Sequence, residues 1–312
     1  MLIIQLYPFS VSSSSNDFSD LLNQVPRLLT RSSVDELSGG LTNRNLKITT
    51  PNGDFVARIS SNKSALLSID RNAEYENSKI AADIGIGAPV YDFLPQSGLL
   101  VIGYLPGKTF NSQDVASNLG RVAKSVKQLH SAKAFVSDFD MFVIQQNYLK
   151  IVSEHGFKMP DNYLDYIDAL SQMKKALSVL DEGKVACNND LLAANFIDDG
   201  QKIWIIDYEY SGNNDACFEL GNIYSESNLS YDQLVELVDS YYGKHRPEKV
   251  ARAWLYALLA RYGWTLWASI QNSVSDIDFN FWDWGMQKYE VAMKDFKSVE
   301  FKNALTAVTQ KS

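Results

Sequence analysis

The sequence predicts an α+β protein in two lobes, a small β-rich N-lobe followed by a larger, mainly helical C-lobe. Three observations carry that prediction. "LKITT" and "FVARI" alternate apolar and polar positions about the turn "PNGD", the pattern of a β-hairpin. "YLPGKTF" at 104–110 places Pro and Gly where this alternation ends. Beyond it the apolar spacing turns helical and remains so over most of the chain. The expected plan is an extension at 1–15, the N-lobe at 16–103 and the C-lobe at 104–312.

The elements follow in order. The opening "MLIIQLYPFSVSSSSND" has a short apolar run with no basic segment before it, the first Arg being Arg27, so it does not read as an export signal. Its Ser tract, Ser12–Ser15, reads as a disordered extension or as translation from an upstream start, and the fold is expected to begin near Asn16. After the hairpin, "SIDRNAEYENSKIAADIGIGAP" spaces Ile69, Ala73, Ile80 and Ile84 along one helical face and stops at Gly85 and Gly87. "VYDFL" and "LLVIGY" add two strands. Helices are expected at about 112–131, 139–153 and 162–180, then a loop, a strand pair in "NFIDDGQKIWIID", and long helices from about 216 onward.

Composition narrows the function. The net charge of −8 and the lack of any basic run argue against a nucleic-acid partner, whose binding draws on clustered Lys and Arg; a small cationic substrate suits the charge better. No segment is apolar enough for a membrane span. The two cysteines, Cys187 and Cys217, lack metal-ligand spacing and are too few for a disulfide framework, which favours a cytoplasmic, reducing setting.

Five polar residues form a pattern that suits phosphoryl transfer, a reaction that needs positioning and charge neutralisation more than covalent help. Asp190, in the loop after "KVAC", can take the proton of a substrate hydroxyl. Asn195 and Asp207 can offer Mg²⁺ the oxygen ligands a hard cation prefers. Arg58, on "FVARI", can reach the phosphates, and Glu74, on the following helix, can hold that Arg. Each of these residues alone is as well explained as a cap, a turn former or a surface charge; their order and their elements set them apart.

The segments "LSGGLTNRNLKITT", "FVARI", "IDRNAEYENSKIAADIGIGAPV", "CNNDLLAANF" and "IIDYEYSGNNDACFELGN", in this order, resemble the choline/ethanolamine kinase family, within the kinase-like and aminoglycoside-phosphotransferase group, over roughly residues 34 to 296. The resemblance implies a kinase-like two-lobe fold. It implies that "SGGLTNRN", with Gly39, Gly40, Thr42 and Asn43, covers the phosphates of ATP, that Arg58 binds them with Glu74 behind it, that Asp190 is the catalytic base, and that Asn195 and Asp207 bind Mg²⁺. The acceptor residues it implies are Glu226, Tyr231, Trp264, Trp267 and Trp284, the last a Trp where the family pattern leads us to expect Tyr.

Five of the six tryptophans fall between Trp254 and Trp284. An aromatic stripe at helical spacing is ordinarily core, yet a quaternary ammonium, which has no N–H to donate, is recognised by aromatic faces. The expected activity is therefore an ATP- and Mg²⁺-dependent transfer of the γ-phosphate to the hydroxyl of choline, giving phosphocholine. Ethanolamine or thiamine are alternative acceptors. An aminoglycoside fits less well, because polycationic sugars favour acidic pockets over Trp-rich ones. Asn188 stands where the family places His, and a choline-binding pseudokinase is the alternative that this exchange raises. Asn can supply part of a scaffold residue's hydrogen bonding, so a working site is the leading expectation.

Overall fold

A computed structural model describes residues 18–37, 40–60 and 66–310. The expected extension at 1–15 and Gly39 of the phosphate loop lie outside the described residues. The chain divides into two compact units, Met1–Asn62 with Ala88–Leu105, and Lys63–Gly87 with Pro106–Ser312. The break at Leu105 falls inside the expected linker.

The first unit is a five-stranded antiparallel sheet: β1 (Ser33–Leu37), β2 (Asn43–Thr50), β3 (Gly53–Ser60), β4 (Val90–Leu94) and β5 (Leu99–Gly103), in the order β1-β2-β3-β5-β4. The hairpin forms as read, with Thr50 facing Gly53 across the turn. The turn asks for a left-handed residue, and Gly53 supplies it at φ 124°. Alternation along β2 and β3 sends Leu46, Ile48, Phe55 and Ala57 to one face, where they meet Leu99 and Val101. Leu22, Val25 and Leu28, from the short helix α1 (Ser19–Leu22) and the turn after it, cover that face. Each such side chain contributes about 1.5–3 kcal/mol of burial at most.

The second unit opens with α2 (Arg71–Asp83), capped by Asp70, whose carboxylate accepts from the Asn72 and Ala73 N–H groups. Expected as part of the N-lobe, this helix groups with the helical unit, where Asn77 donates to Ser211 O and Oγ at 3.2 and 3.0 Å. Two short sheets follow. β6 (Lys108–Thr109), β8 (Phe196–Asp198) and β9 (Ile203–Ile205) form one; β7 (Val185–Cys187) and β10 (Gly212–Asn214) form the other.

The helix expected at 112–131 is two helices, α3 (Ser112–Ala116) and α4 (Leu119–His130). Asn111 and Asp114 make a capping box for the first, and Asn118 turns its amide back onto Asp114 O at 2.8 Å, ending it locally. α5 (Met141–His155) and α6 (Ile167–Leu177) match their expected places, the latter after a 3₁₀ turn at Tyr163–Tyr166. The rest is α7 (Ala216–Glu226), α8 (Tyr231–Tyr242), α9 (Pro247–Val274), α10 (Phe281–Phe296) and α11 (Val299–Ala307). α9 is buried on almost every side, packed by α5, α7, α10 and α11. Gly221 lets α7 close on it: a Cβ there would run into Ala253 O. Among the described residues, no helix is long and apolar enough to cross a membrane.

Candidate active site

Asp190 sits in the loop between β7 and β8, and the backbone around it is held by buried side chains. Asn188, fully buried, donates from Nδ2 to Asp207 O at 2.7 Å and Ile206 O at 3.2 Å. Its Oδ1 accepts from the Asp190 N–H at 3.1 Å. One amide therefore ties the loop of the candidate base to the loop of the candidate metal ligand, using donor and acceptor together. The expected scaffold role of Asn188 has a concrete form here.

Asn189 adds a second tie, from a left-handed backbone at φ 68°. Its Nδ2 lies within 3.1–3.3 Å of Cys187, Tyr210 and Gly212 carbonyls, and its Oδ1 accepts from Asn214 at 2.9 Å. Asp207 is also left-handed, at φ 64°. Short polar side chains tolerate that region best, and strain of this kind persists where the surroundings over-determine it.

Sequence reasoning missed the residue beneath the loop. Glu219, on α7 and fully buried, accepts the Asn188 N–H at 2.9 Å and the Asn189 N–H at 2.7 Å. Burial pushes its carboxyl up to about 7, against the pull of those two N–H groups. One turn on, Asn222 Oδ1 accepts the Leu191 N–H at 2.6 Å. His130 backs this arrangement: Nε2 is 3.5 Å from Cys187 Sγ and 3.9 Å from Glu219 Oε1, and Nδ1 is 2.7 Å from Tyr241 OH. Burial drops His130 to about 3, so the ring is neutral. Ligand atoms of His130, Cys187 and Glu219 lie within 4.8 Å of one another, but both Glu219 oxygens already hold the loop, and the trio reads as a buttress.

Asn195 Nδ2 donates to Asp190 O at 2.7 Å, which turns the amide so that Oδ1 is the atom left for a ligand. Burial first, then the carboxylates of Glu226, Asp207 and Glu209, hold Asp190 well above the usual carboxylate range, and Lys288 offsets part of this. That concentration of like charge, with hard oxygen donors from Asn195 and Asp207, fits a divalent cation. Glu209 is a further acid the sequence did not single out; it shares Arg71 Nη1 with Glu74, at 3.1 and 2.7 Å.

The phosphate-side candidates fall on two units. Asn43 starts β2, buried, with its amide 3.1 Å from Thr42 Oγ1. Gly40 is required where it stands, since a Cβ would strike Asn43 O. Arg58 is a buried β3 residue, paired in register with Asn45 and Leu100, whereas Glu74 belongs to α2 of the other unit.

Four of the five acceptor candidates, together with Lys288, converge. Trp267 Nε1 donates to Tyr210 OH at 2.8 Å, and Tyr210 meets Trp264 edge-on at 5.0 Å between centroids. Trp267 meets Trp284 and Phe281 at 5.4 and 5.7 Å. Glu226 lies at the end of α7, and both its oxygens are 2.7 Å from Lys288 Nζ, which stands 4.2 Å from the centre of the Trp284 ring. Tyr231 stands apart: it is 56% exposed at the start of α8, and among the described residues it shares no ring contact with the tryptophans. Tyr210, Phe281 and Lys288 were not legible as members of this cluster.

Comparison with known proteins shows the family and the fold. Residues 34–250 match the choline/ethanolamine kinase family. Protein LicA of Haemophilus influenzae is 27% identical over 270 residues, covering 82% of this chain and 78% of that protein. The crystal structure of a choline/ethanolamine kinase family protein from Mesorhizobium loti superposes with a TM-score of 0.82 at 28% identity, over 93% of this chain and 97% of that one. The choline kinase LicA from Streptococcus pneumoniae gives 0.77 at 26% identity, over 89% and 97%. The fold is kinase-like, and the chain belongs to the choline/ethanolamine kinase family, as a kinase that passes phosphate from ATP to an alcohol.

Proposed function

We propose that the alcohol is choline and the product phosphocholine, with Mg²⁺ as the metal and the cytoplasm, suited to the free thiols of Cys187 and Cys217, as the setting. The single observation that carries the acceptor class is the Lys288 ammonium. A cation lies against the Trp284 ring while bound to Glu226, so these groups already act as a cation receptor, the chemistry a small cationic alcohol requires. The aromatic faces of Trp264 and Trp267 favour a methylated ammonium over a bare one. Trp264 Nε1, buried without a hydrogen-bond partner among the described residues, is a further donor that an oxygen-bearing ligand would satisfy.

In this reading the sheet unit binds nucleotide through Gly40, Thr42, Asn43 and Arg58, and the helical unit supplies the chemistry. The acceptor oxygen attacks the γ-phosphorus, the bond to the bridging oxygen breaks, ADP leaves, and Asp190 receives the hydroxyl proton. Mg²⁺, held through Asn195 and Asp207, would neutralise charge on the phosphates. Asn188 and Glu219 keep the base and the ligand loop in fixed relation. The Asn188 amide that completes that tie supports reading the protein as an active kinase over a pseudokinase. The test is ADP release by the purified protein with ATP and Mg²⁺ against choline, ethanolamine, thiamine and an aminoglycoside. We expect choline to give the highest kcat/KM; silence with all four, or preference for ethanolamine, thiamine or the aminoglycoside, refutes the reading.

A further inference from the structure

We propose that Lys288 sets acceptor affinity by competition: its ammonium holds the cation position of the acceptor site in the resting enzyme, and a cationic alcohol binds by taking that position from it. This rests on the reading of Glu226 and the tryptophans as the acceptor site.

Three features lead there. Both oxygens of Glu226 are committed to Lys288 at 2.7 Å, in a pair whose side chains are 4% and 11% exposed. Both oxygens of Glu226 are therefore already engaged by a cation while Lys288 stays. Next, Lys288 is one helical turn beyond Trp284 on α10, so its stem runs along the ring and its ammonium covers the face that an acceptor cation would use. Finally, the charges of Glu226 and Lys288 both reach Asp190, the candidate base. A Lys stem is long and flexible, and an ammonium readily returns to water, so the exchange of one cation for another leaves Glu226 paired throughout. Removing Glu226's partner with nothing to replace it would be far costlier.

Competition of this kind weakens every cationic acceptor by the same factor and leaves nucleotide untouched. Lys288→Met keeps the stem and removes the charge. We expect it to lower both the Kd, by tryptophan quenching, and the KM of choline and of ethanolamine about tenfold, equivalent to ~1.4 kcal/mol, with the choline-to-ethanolamine ratio and the KM for ATP unchanged. Choline should also raise the melting temperature of Lys288→Met more than that of wild type, since it restores the missing partner of Glu226. In a Glu226→Gln background the same change should give no gain. Lys288→Gln, which keeps an N–H for Glu226 but no charge, serves if the Met variant does not fold and should shift affinity in the same direction. Unchanged or weaker choline binding in a folded variant, with wild type still phosphorylating choline or ethanolamine, overturns this inference alone and makes Lys288 a fixed support. Wild type that phosphorylates no small cationic alcohol overturns both this inference and the functional reading beneath it.

Discussion

The proposed catalytic loop and the proposed acceptor cluster are built in opposite ways within one helical unit. Around Asp190, Asn188, Asn189, Glu219 and Asn222 are all fully buried, and each fixes main-chain N–H or C=O groups through short, directional bonds. Around Trp267 the contacts are ring edges against ring faces and one hydrogen bond to Tyr210 OH, closed by an ion pair from a flexible Lys. Hydrogen bonds of narrow geometry hold a base to one place, whereas aromatic faces accept any cation of suitable size. On the proposed reading, the part that positions is over-determined, and the part that exchanges is held by something replaceable.

Breaking each side separately sharpens that contrast. Asp190→Ala should lower kcat by about 10³-fold or more, as expected for loss of a positioned general base, while nucleotide binding, read by calorimetry with Mg²⁺-ATP, stays near wild type. Near-normal turnover would remove Asp190 from the chemistry. Asn188→Leu, isosteric but unable to bond Asp207, Ile206 or the Asp190 N–H, should cost roughly 10–100-fold in kcat and lower the melting temperature. Asn188→His retains one N–H for Asp207 O and should stay within about tenfold of wild type; loss beyond the Leu variant would mean that the buried site has no room for imidazole.

On the acceptor side, Trp267→Ala should raise the KM for choline by about tenfold, near 1.4 kcal/mol of cation–π attraction, with little change in the KM for ATP. If both affinities and stability fall together, Trp267 is core and nothing more.

The last expected effect is one of pH, and it acts on stability and not on turnover. Burial raises Glu219 from 4.5 to about 7, so its contribution to stability is fully present below about 4.5 and is lost as pH rises through 7, by about 3 kcal/mol in all. Denaturant unfolding of wild type relative to Glu219→Gln, whose amide does not titrate, should show that loss between pH 4.5 and 8. A flat difference would mean that the two N–H donors keep the carboxylate ionised throughout.

What could be read from the sequence was what lies close together in it. Asp190 and Asn195 are one loop, and Asp70 caps the helix that starts at the next residue. Asp207 stands two residues after a strand with a clear apolar run, and the "PNGD" hairpin is set by its own turn. What escaped joins distant positions: Glu219 reaches back 30 residues to Asn189, Tyr210 meets Trp267 across 57, and Lys288 pairs with Glu226 across 62. Periodicity marks Lys288 as a helix residue but carries no sign of which carboxylate it faces. The β7–β10 pair escaped for another reason, since Gly212, Asn213 and Asn214 have little intrinsic preference for a strand and are held there by Asn213 bonds to Phe135 and Ser137 carbonyls.

The most direct test of the central claim is the identity of the phosphorylated product. ³¹P NMR of the protein incubated with ATP, Mg²⁺ and equal choline and ethanolamine should show the γ-phosphate signal replaced by phosphocholine as the main phosphomonoester, and no such change with Asp190→Ala. Release of inorganic phosphate alone, or phosphoethanolamine as the dominant product, would contradict the account.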